Sequence, residues 1–337
     1  MHRSDESGQL KPAVFVGRPI PEPGLALLRP SFELRVWPGP LPPTPSELLD
    51  TVQGCAGILS LLTDRIDGAV MDAAGPGLRV ISNFAVGVDN VDVAEASRRG
   101  IPVGNTPGVL TETTADLAWA LLMAAARRIV EGDRYVRAGG WHTWEPQAFL
   151  GHDVAGATLG IMGYGRIGQA VARRAAGFAM RVLVTNRSPV ANLPGATQVD
   201  FNTLLEQSDF VSIHTPLTPE TQALFDHTAL ARMKPGAILI NTARGPIVDP
   251  EALADALATG RLAAAALDVT DPEPIQFDSP LLRLPNCIVV PHVGSASIQT
   301  RDRMATMAAE NLLAGLRGEP LPNCVNRDQL PGASGDR

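Results

Sequence analysis

The chain has 337 residues, 45% hydrophobic and 19% charged, with a formal net charge of −7 at pH 7. That length and composition suit a globular protein of two domains with separate cores. Scattered basic residues on an acidic chain exclude a nucleic-acid or membrane-surface footprint. The three cysteines (Cys55, Cys287, Cys324) lie far apart, so neither a disulfide framework nor a metal site is expected, and a reducing cytoplasm is the expected location.

The N-terminal "MHRSDESGQLKP" is polar and lacks the apolar core of a signal peptide. Short β-branched runs then alternate with amphipathic stretches, which argues for an α/β protein with parallel sheets. The strand-like pieces of the first third are "AVFVG" (13–17), "ELRVW" (33–37), "AGILSLL" (56–62), "LRVISNF" (78–84) and "IPVGN" (101–105). Helix-compatible stretches lie between them, among them "PSELLDTV" and "VDVAEASRRG", the second stopping on Gly100.

From about Thr111 one long helix is expected over "TETTADLAWALLMAAARRIVEGDRYVRAG", with threonine caps and acids in its first turn. Its apolar run Leu117 to Ala126 is too short to span a bilayer. After the aromatic loop "GGWHTWEPQAF" come six buried-strand candidates: "ATLGIMG", "RVLVTN", "FVSIHTP", "AILINTARG", "AAALDV" and "CIVVPHVG". Six is the number a complete dinucleotide-binding sheet uses. The last helix, "SIQTRDRMATMAAENLLAGLRGE", is expected to return to the first unit, and the tail "QLPGASGDR" to be loose. The domains are therefore expected to be discontinuous, 1–107 plus 296–337 and 108–295.

The stretch "LGIMGYGRIGQAVARRAA" carries Gly163-x-Gly165-x-x-Gly168 directly after a strand and at the start of a helix. Gly163 would make the tight turn, Gly165 would let the backbone approach a pyrophosphate, and Gly168 would let helix and strand pack closely. About twenty residues on, the fingerprint expects an acid that accepts hydrogen bonds from a ribose. Here the strand ends on Asn186-Arg187-Ser188, an amide, a cation and a hydroxyl. A guanidinium can grip a 2′-phosphate through paired N–H groups, so the cluster points to NADP(H) in preference to NAD(H), and thereby to reduction as the working direction. The ordinary alternative is a solvated surface arginine.

Three later strand ends carry polar residues: Arg244 in "INTARGPIVD", Glu273 in "LDVTDPEP" and His292 in "VVPHVGSA". Ligands of an open α/β sheet sit beyond the carboxyl ends of the strands, so these three can converge although they are distant in sequence. Reducing a 2-oxo acid needs a cation for the carboxylate and carbonyl oxygen, which arginine supplies bidentately. It also needs a proton donor, the role of histidine, with a carboxylate to orient the imidazole and favour its charged form. Singly, each residue has a structural explanation (a surface ion pair, a loop cap, an internally satisfied histidine). The set at three successive strand ends is harder to explain that way.

These stretches, with "NFAVGVDNVD" and "GNTPGVLTETTADLAWALL" upstream, resemble the D-2-hydroxyacid dehydrogenase family, most nearly its glyoxylate/hydroxypyruvate reductase branch. The likeness runs from about residue 12 to "RGEPLPNCVN" at 317–326. It implies two Rossmann-like or flavodoxin-like domains, with the active site in the interdomain cleft. The discontinuous domain would bind substrate and the central one the dinucleotide. His292 would be the acid/base, Glu273 its partner and Arg244 the substrate-binding cation. The backbone of Val86-Gly87 would hold the substrate carboxylate and Leu61 would line the pocket. Asp268 would meet the nicotinamide carboxamide, with Thr114 near the ring. Tyr164, Arg166, Ile167, Asn186, Arg187, Ser188, Pro216, Thr242, Ala243 and Gly294 would line the cofactor alongside the three glycines. Trp144 matches a tryptophan that closes the partner subunit's site, or else packs a dimer arm; a homodimer through the region around 110–150 is implied. One departure is Ala115-Asp116, where the family has an alanine–glutamate pair.

The expected activity is NADPH-dependent reduction of a small 2-oxo acid, glyoxylate to glycolate or hydroxypyruvate to D-glycerate. Glu273 disfavours formate oxidation, whose enzymes carry glutamine there. Reduction of a bulkier acid such as 2-ketogluconate or phenylpyruvate is the alternative within the class. A nucleotide-sensing co-repressor on the same fold is the alternative outside it.

Overall fold

The protein is described by a computed structural model over residues 11–331. It divides into two compact units, Met1–Leu110 with Ala296–Arg337, and Thr111–Ser295.

In the first unit the strands are β1 (Ala13–Val16), β2 (Glu33–Val36), β3 (Cys55–Ser60), β4 (Val80–Asn83) and β5 (Val103–Gly104). Helices α1 (Glu22–Leu28), α2 (Pro45–Thr51), α3 (Gly68–Ala74) and α4 (Val93–Arg98) alternate with them. All pairings are parallel, in the order β2-β1-β3-β4-β5. Successive side chains leave a strand on opposite faces. Phe15, Ile58 and Ile81 accordingly join one core with α2 and α3, while their neighbours Val14, Leu59 and Val80 join another. Burial on both faces is why these strands read as unbroken apolar runs.

The second unit opens with α5 (Thr111–Ala126) and α6 (Ile129–Arg137). Its strands are β6 (Thr158–Met162), β7 (Arg181–Thr185), β8 (Ala196–Gln198), β9 (Phe210–Ile213), β10 (Ala237–Asn241), β11 (Leu262–Leu267) and β12 (Cys287–Val289). They form one parallel sheet in the order β12-β11-β10-β9-β6-β7-β8. Between them run α7 (Arg166–Ala175), α8 (Phe201–Gln207), α9 (His227–Arg232) and α10 (Pro250–Ala258). Ile161, Val184 and Ile240 pack on α5 and α7, and Val211, Ile213 and Leu239 on the opposite side with α8 to α10. The last helix, α11 (Ile298–Arg317), packs on α1, β3 and β4.

Three sequence expectations differ from the structure. The single helix expected from Thr111 is broken at Arg128, whose backbone is left-handed (φ 52°). The Arg128 guanidinium bonds Glu131 and lies 5.2 Å from the Phe149 ring centre, so tertiary contacts override helix propensity there. The dinucleotide sheet gains a seventh strand, β8, three residues at the edge beside β7. The tail expected to be loose starts ordered, since Gln329 accepts a hydrogen bond from Ser97 (3.1 Å), and beyond 331 it lies outside the described residues. Among the described residues no helix is long and apolar enough to cross a membrane.

Candidate active site

The turn after β6 is shaped by three glycines with different reasons for being glycine. Gly163 has φ +94°, and a Cβ on it would stand 2.7 Å from the His214 carbonyl oxygen. A Cβ on Gly168 would meet the Gly163 carbonyl oxygen at 2.1 Å, so α7 rests directly on the turn. Gly165 is different: a Cβ there would meet nothing within 4 Å. The protein itself does not require glycine at that point. Gly165 is also the N-cap of α7 with no side chain capping the helix, which leaves its first amides and positive end available. Open space over a glycine at an uncapped helix start fits a dinucleotide's pyrophosphate.

The other expected cofactor residues in this unit stand at carboxyl ends of its strands or on the adjoining helix starts. The Tyr164 amide donates to Asn186 Oδ1 (3.4 Å), and Asn186 Nδ2 donates to the Ser188 carbonyl (3.1 Å). This folds the end of β7 into a turn with Arg187 and Ser188 exposed. Arg166 is exposed at the start of α7 and Ile167 packs on the core. Pro216 follows β9, and buried Thr242 and half-buried Ala243 follow β10. Thr114, buried on the first turn of α5, lies 3.5 Å from the point a Cβ on Gly294 would occupy.

Arg244, Glu273 and His292 follow β10, β11 and β12, three neighbouring strands. Gly245 brings the first two loops together, because a Cβ on it would overlap the Thr270 carbonyl oxygen at 1.8 Å. The Arg244 guanidinium bonds the Ala243 carbonyl (2.7 Å), and the Asn241 side chain holds the Arg244 carbonyl (2.9 Å). His292 Nδ1 lies 2.6 Å from Glu273 Oε1. Burial raises the Glu273 carboxyl, but the hydrogen bond and charge of His292, the Thr270 amide and the charge of Arg244 outweigh it and hold it below its ordinary value. Asp268, buried, accepts from the Val293 amide (2.6 Å) and the Gly294 amide (2.8 Å), and thus fixes the loop that carries His292. Burial raises its carboxyl, with those amides and His292 acting the other way.

Three expected substrate residues lie elsewhere. Leu61 follows β3, and Val86 and Gly87 follow β4, both in the first unit. The Asn83 side chain holds the Gly87 carbonyl (2.8 Å) and that of Asn90 holds the Leu61 carbonyl (2.9 Å). Trp144 lies in the loop after α6, 78% exposed.

One residue at this sheet end escaped the sequence reading. His214 follows β9, with Nε2 2.8 Å from Ser212 Oγ and Nδ1 3.5 Å from Thr242 Oγ1. Burial pushes its imidazole down to about 4, so it is neutral at pH 7. Its signal was present in "SIHTP", a polar residue at a strand's carboxyl end.

A family model, "D-isomer specific 2-hydroxyacid dehydrogenase, NAD binding domain", matches residues 119–294. The glyoxylate reductase of Korarchaeum cryptofilum is 54% identical over 323 residues, covering 95% of this chain and 97% of that protein. The crystal structure of the TT0316 protein from Thermus thermophilus superposes with a TM-score of 0.89 at 52% identity, covering 93% of this chain and 99% of that one. An NADPH-dependent glyoxylate/hydroxypyruvate reductase from Sinorhizobium meliloti, in complex with NADP and malonate, gives a TM-score of 0.81 at 33% identity, covering 94% and 97%.

Proposed function

The chain belongs to the D-isomer-specific 2-hydroxyacid dehydrogenase family, oxidoreductases that use a nicotinamide cofactor, and from that premise we propose that it is an NADPH-dependent reductase of glyoxylate and hydroxypyruvate, giving glycolate and D-glycerate. Relatives named glyoxylate reductase support reduction of a 2-oxo acid. Asn186 at the end of β7, where a ribose-binding acid would stand in an NAD enzyme, and the exposed Arg187 beside it support the choice of phosphate-bearing cofactor.

The observation that carries the chemistry is the His292–Glu273 pair at 2.6 Å beside Arg244. A bound reduced nicotinamide supplies the hydride. Arg244 binds the substrate's carboxylate and carbonyl oxygen and stabilises the negative charge that grows on that oxygen. Glu273, held ionised, engages Nδ1 of His292 and fixes the orientation of the ring. The two ring nitrogens face different directions, so Nε2 is left to deliver its proton to the forming alkoxide. The neutral ring that remains keeps its Nδ1–H on Glu273. Asp268 holds the His292 loop and would meet the nicotinamide carboxamide, while the family resemblance assigns the substrate carboxylate to the backbone of Val86-Gly87 and the wall of its side-chain pocket to Leu61. In this reading the unit Thr111–Ser295 is the dinucleotide domain and the other unit the substrate domain. Three free thiols, two of them buried, support a cytoplasmic enzyme.

His292→Ala tests the assignment. It should lower kcat by about two to four orders of magnitude, the usual weight of general acid–base catalysis, with NADPH affinity unchanged. Full turnover in that variant would remove His292 from the mechanism.

A further inference from the structure

The loop after β4 shows an ordered pattern in its peptide groups. Three successive carbonyls are each held by a donor from the body of the first unit. The Ala85 carbonyl accepts from the Thr106 amide (2.9 Å), the Val86 carbonyl from Asn105 Nδ2 (2.8 Å) and the Gly87 carbonyl from Asn83 Nδ2 (2.8 Å). In a planar trans peptide the N–H of the next residue points opposite to the carbonyl. The amides of Val86, Gly87 and Val88 are therefore turned away from those donors. Among the described residues none of the three amides donates a hydrogen bond. Val86 is exposed, and Gly87 and Val88 are partly so. A row of backbone amides lacking acceptors at a partly open surface suits an anion.

The two asparagines differ in setting. Asn83 is fully buried on β4, and its Oδ1 accepts from Ser60 Oγ (2.8 Å) at the end of β3. Its Nδ2 also reaches Asn90 Oδ1 (3.0 Å), and Asn90 Nδ2 donates to the Leu61 and Asp64 carbonyls, both at 2.9 Å. Leu61 is further fixed by its own amide, which donates to the Asp64 carboxylate (2.8 Å). One amide network thus ties the Val86–Gly87 loop to the turn that carries Leu61. Asn105, half-buried after β5, acts on the loop from the other side through the Val86 carbonyl alone.

We propose that Asn105 and Asn83 are positioning residues for recognition of the substrate's carboxylate. By holding the Val86 and Gly87 carbonyls they turn the Gly87 and Val88 amides toward the anion. Asn90 couples this orientation to Leu61, so the carboxylate-binding loop and the pocket wall move together. The inference rests on the proposed reading of Val86-Gly87 and Leu61 as substrate-binding.

The test is glyoxylate kinetics of Asn105→Ala and Asn105→Asp, with oxalate as the non-reacting carboxylate. Losing the bond that holds the Val86 carbonyl should misorient the amides that bind the carboxylate, raising the KM for glyoxylate and the Ki for oxalate together, by roughly ten- to a hundredfold in Asn105→Ala. Asn105→Asp keeps the volume but loses the donor and sets a negative charge against the Val86 carbonyl, so its increase should be larger. In both variants kcat should change less than KM, and NADPH affinity should not move. KM and Ki within about twofold of wild type in both variants would overturn the proposal. A second measurement needs no variant: oxalate titrated into the wild-type enzyme with NADP bound and ¹⁵N-labelled in glycine and valine. Shifts at the Gly87 and Val88 amides are expected, and their absence while oxalate binds would overturn the proposal. Lack of turnover with any 2-oxo acid would instead overturn the reading of function, and the amide shifts would still decide the inference.

Discussion

His292 occupies a left-handed backbone conformation (φ 51°), which costs a non-glycine residue about 1 kcal/mol or more. Its amide is held by the Asp268 carbonyl (2.9 Å), and the Asp268 carboxylate takes the next two amides. The loop is thus fixed from one buried acid while the ring is fixed from Glu273. Residue types at strand ends were legible in the sequence because a polar side chain after a buried run is conspicuous. Which atoms meet was not, since the 2.6 Å contact and the Gly245 overlap depend on loop paths. His214 gives a prediction at this scale. Its folded value of about 4 lies below the ordinary 6.5, so as pH falls below 6.5 the unfolded chain binds a proton that the folded chain refuses. Stability should therefore fall from about pH 6.5 down to about 4, by up to about 3 kcal/mol from this group. His214→Gln should show a flatter urea midpoint across that range, and a loss parallel to wild type would contradict it.

At the scale of elements, the β6–turn–α7 unit was legible because each glycine has a local cause. Gly165 separates folding from binding: nothing in the protein lies within 4 Å of a Cβ there. Gly165→Ala should keep the wild-type Tm within a few degrees yet weaken NADPH by about tenfold or more, as the methyl takes the space of the pyrophosphate. Cofactor affinity equal to wild type would place the pyrophosphate elsewhere. The break between α5 and α6 was not legible, because Arg127-Arg128 carries neither glycine nor proline and the left-handed residue is held by Glu131 and Phe149. The edge strand β8 was missed for another reason: it has no apolar run, with Ala196 and Gln198 only half-buried and Thr197 exposed.

For the whole molecule, α6 is telling. It has no buried residue, yet Ile129 and Val136 are exposed on it, and Trp141, Trp144 and Leu150 are exposed beyond it. Exposed large apolar residues gathered in one stretch suit a covering partner, and a second copy is the occupant to test, since the family resemblance implies a homodimer through this region. Sedimentation should give twice the chain mass, and the double variant Ile129→Asp, Val136→Asp should give the monomer; a wild-type monomer would refute it. The polar strand end that first pointed to a cofactor also sets the most direct test of the account. That test is kcat/KM for glyoxylate reduction with NADPH and with NADH, in the wild type and in Arg187→Ala. Turnover with a clear preference for NADPH is expected, with a selective loss with NADPH in the variant worth about 1–3 kcal/mol. No oxidation of either cofactor, or a preference for NADPH that Arg187→Ala leaves intact, would contradict it.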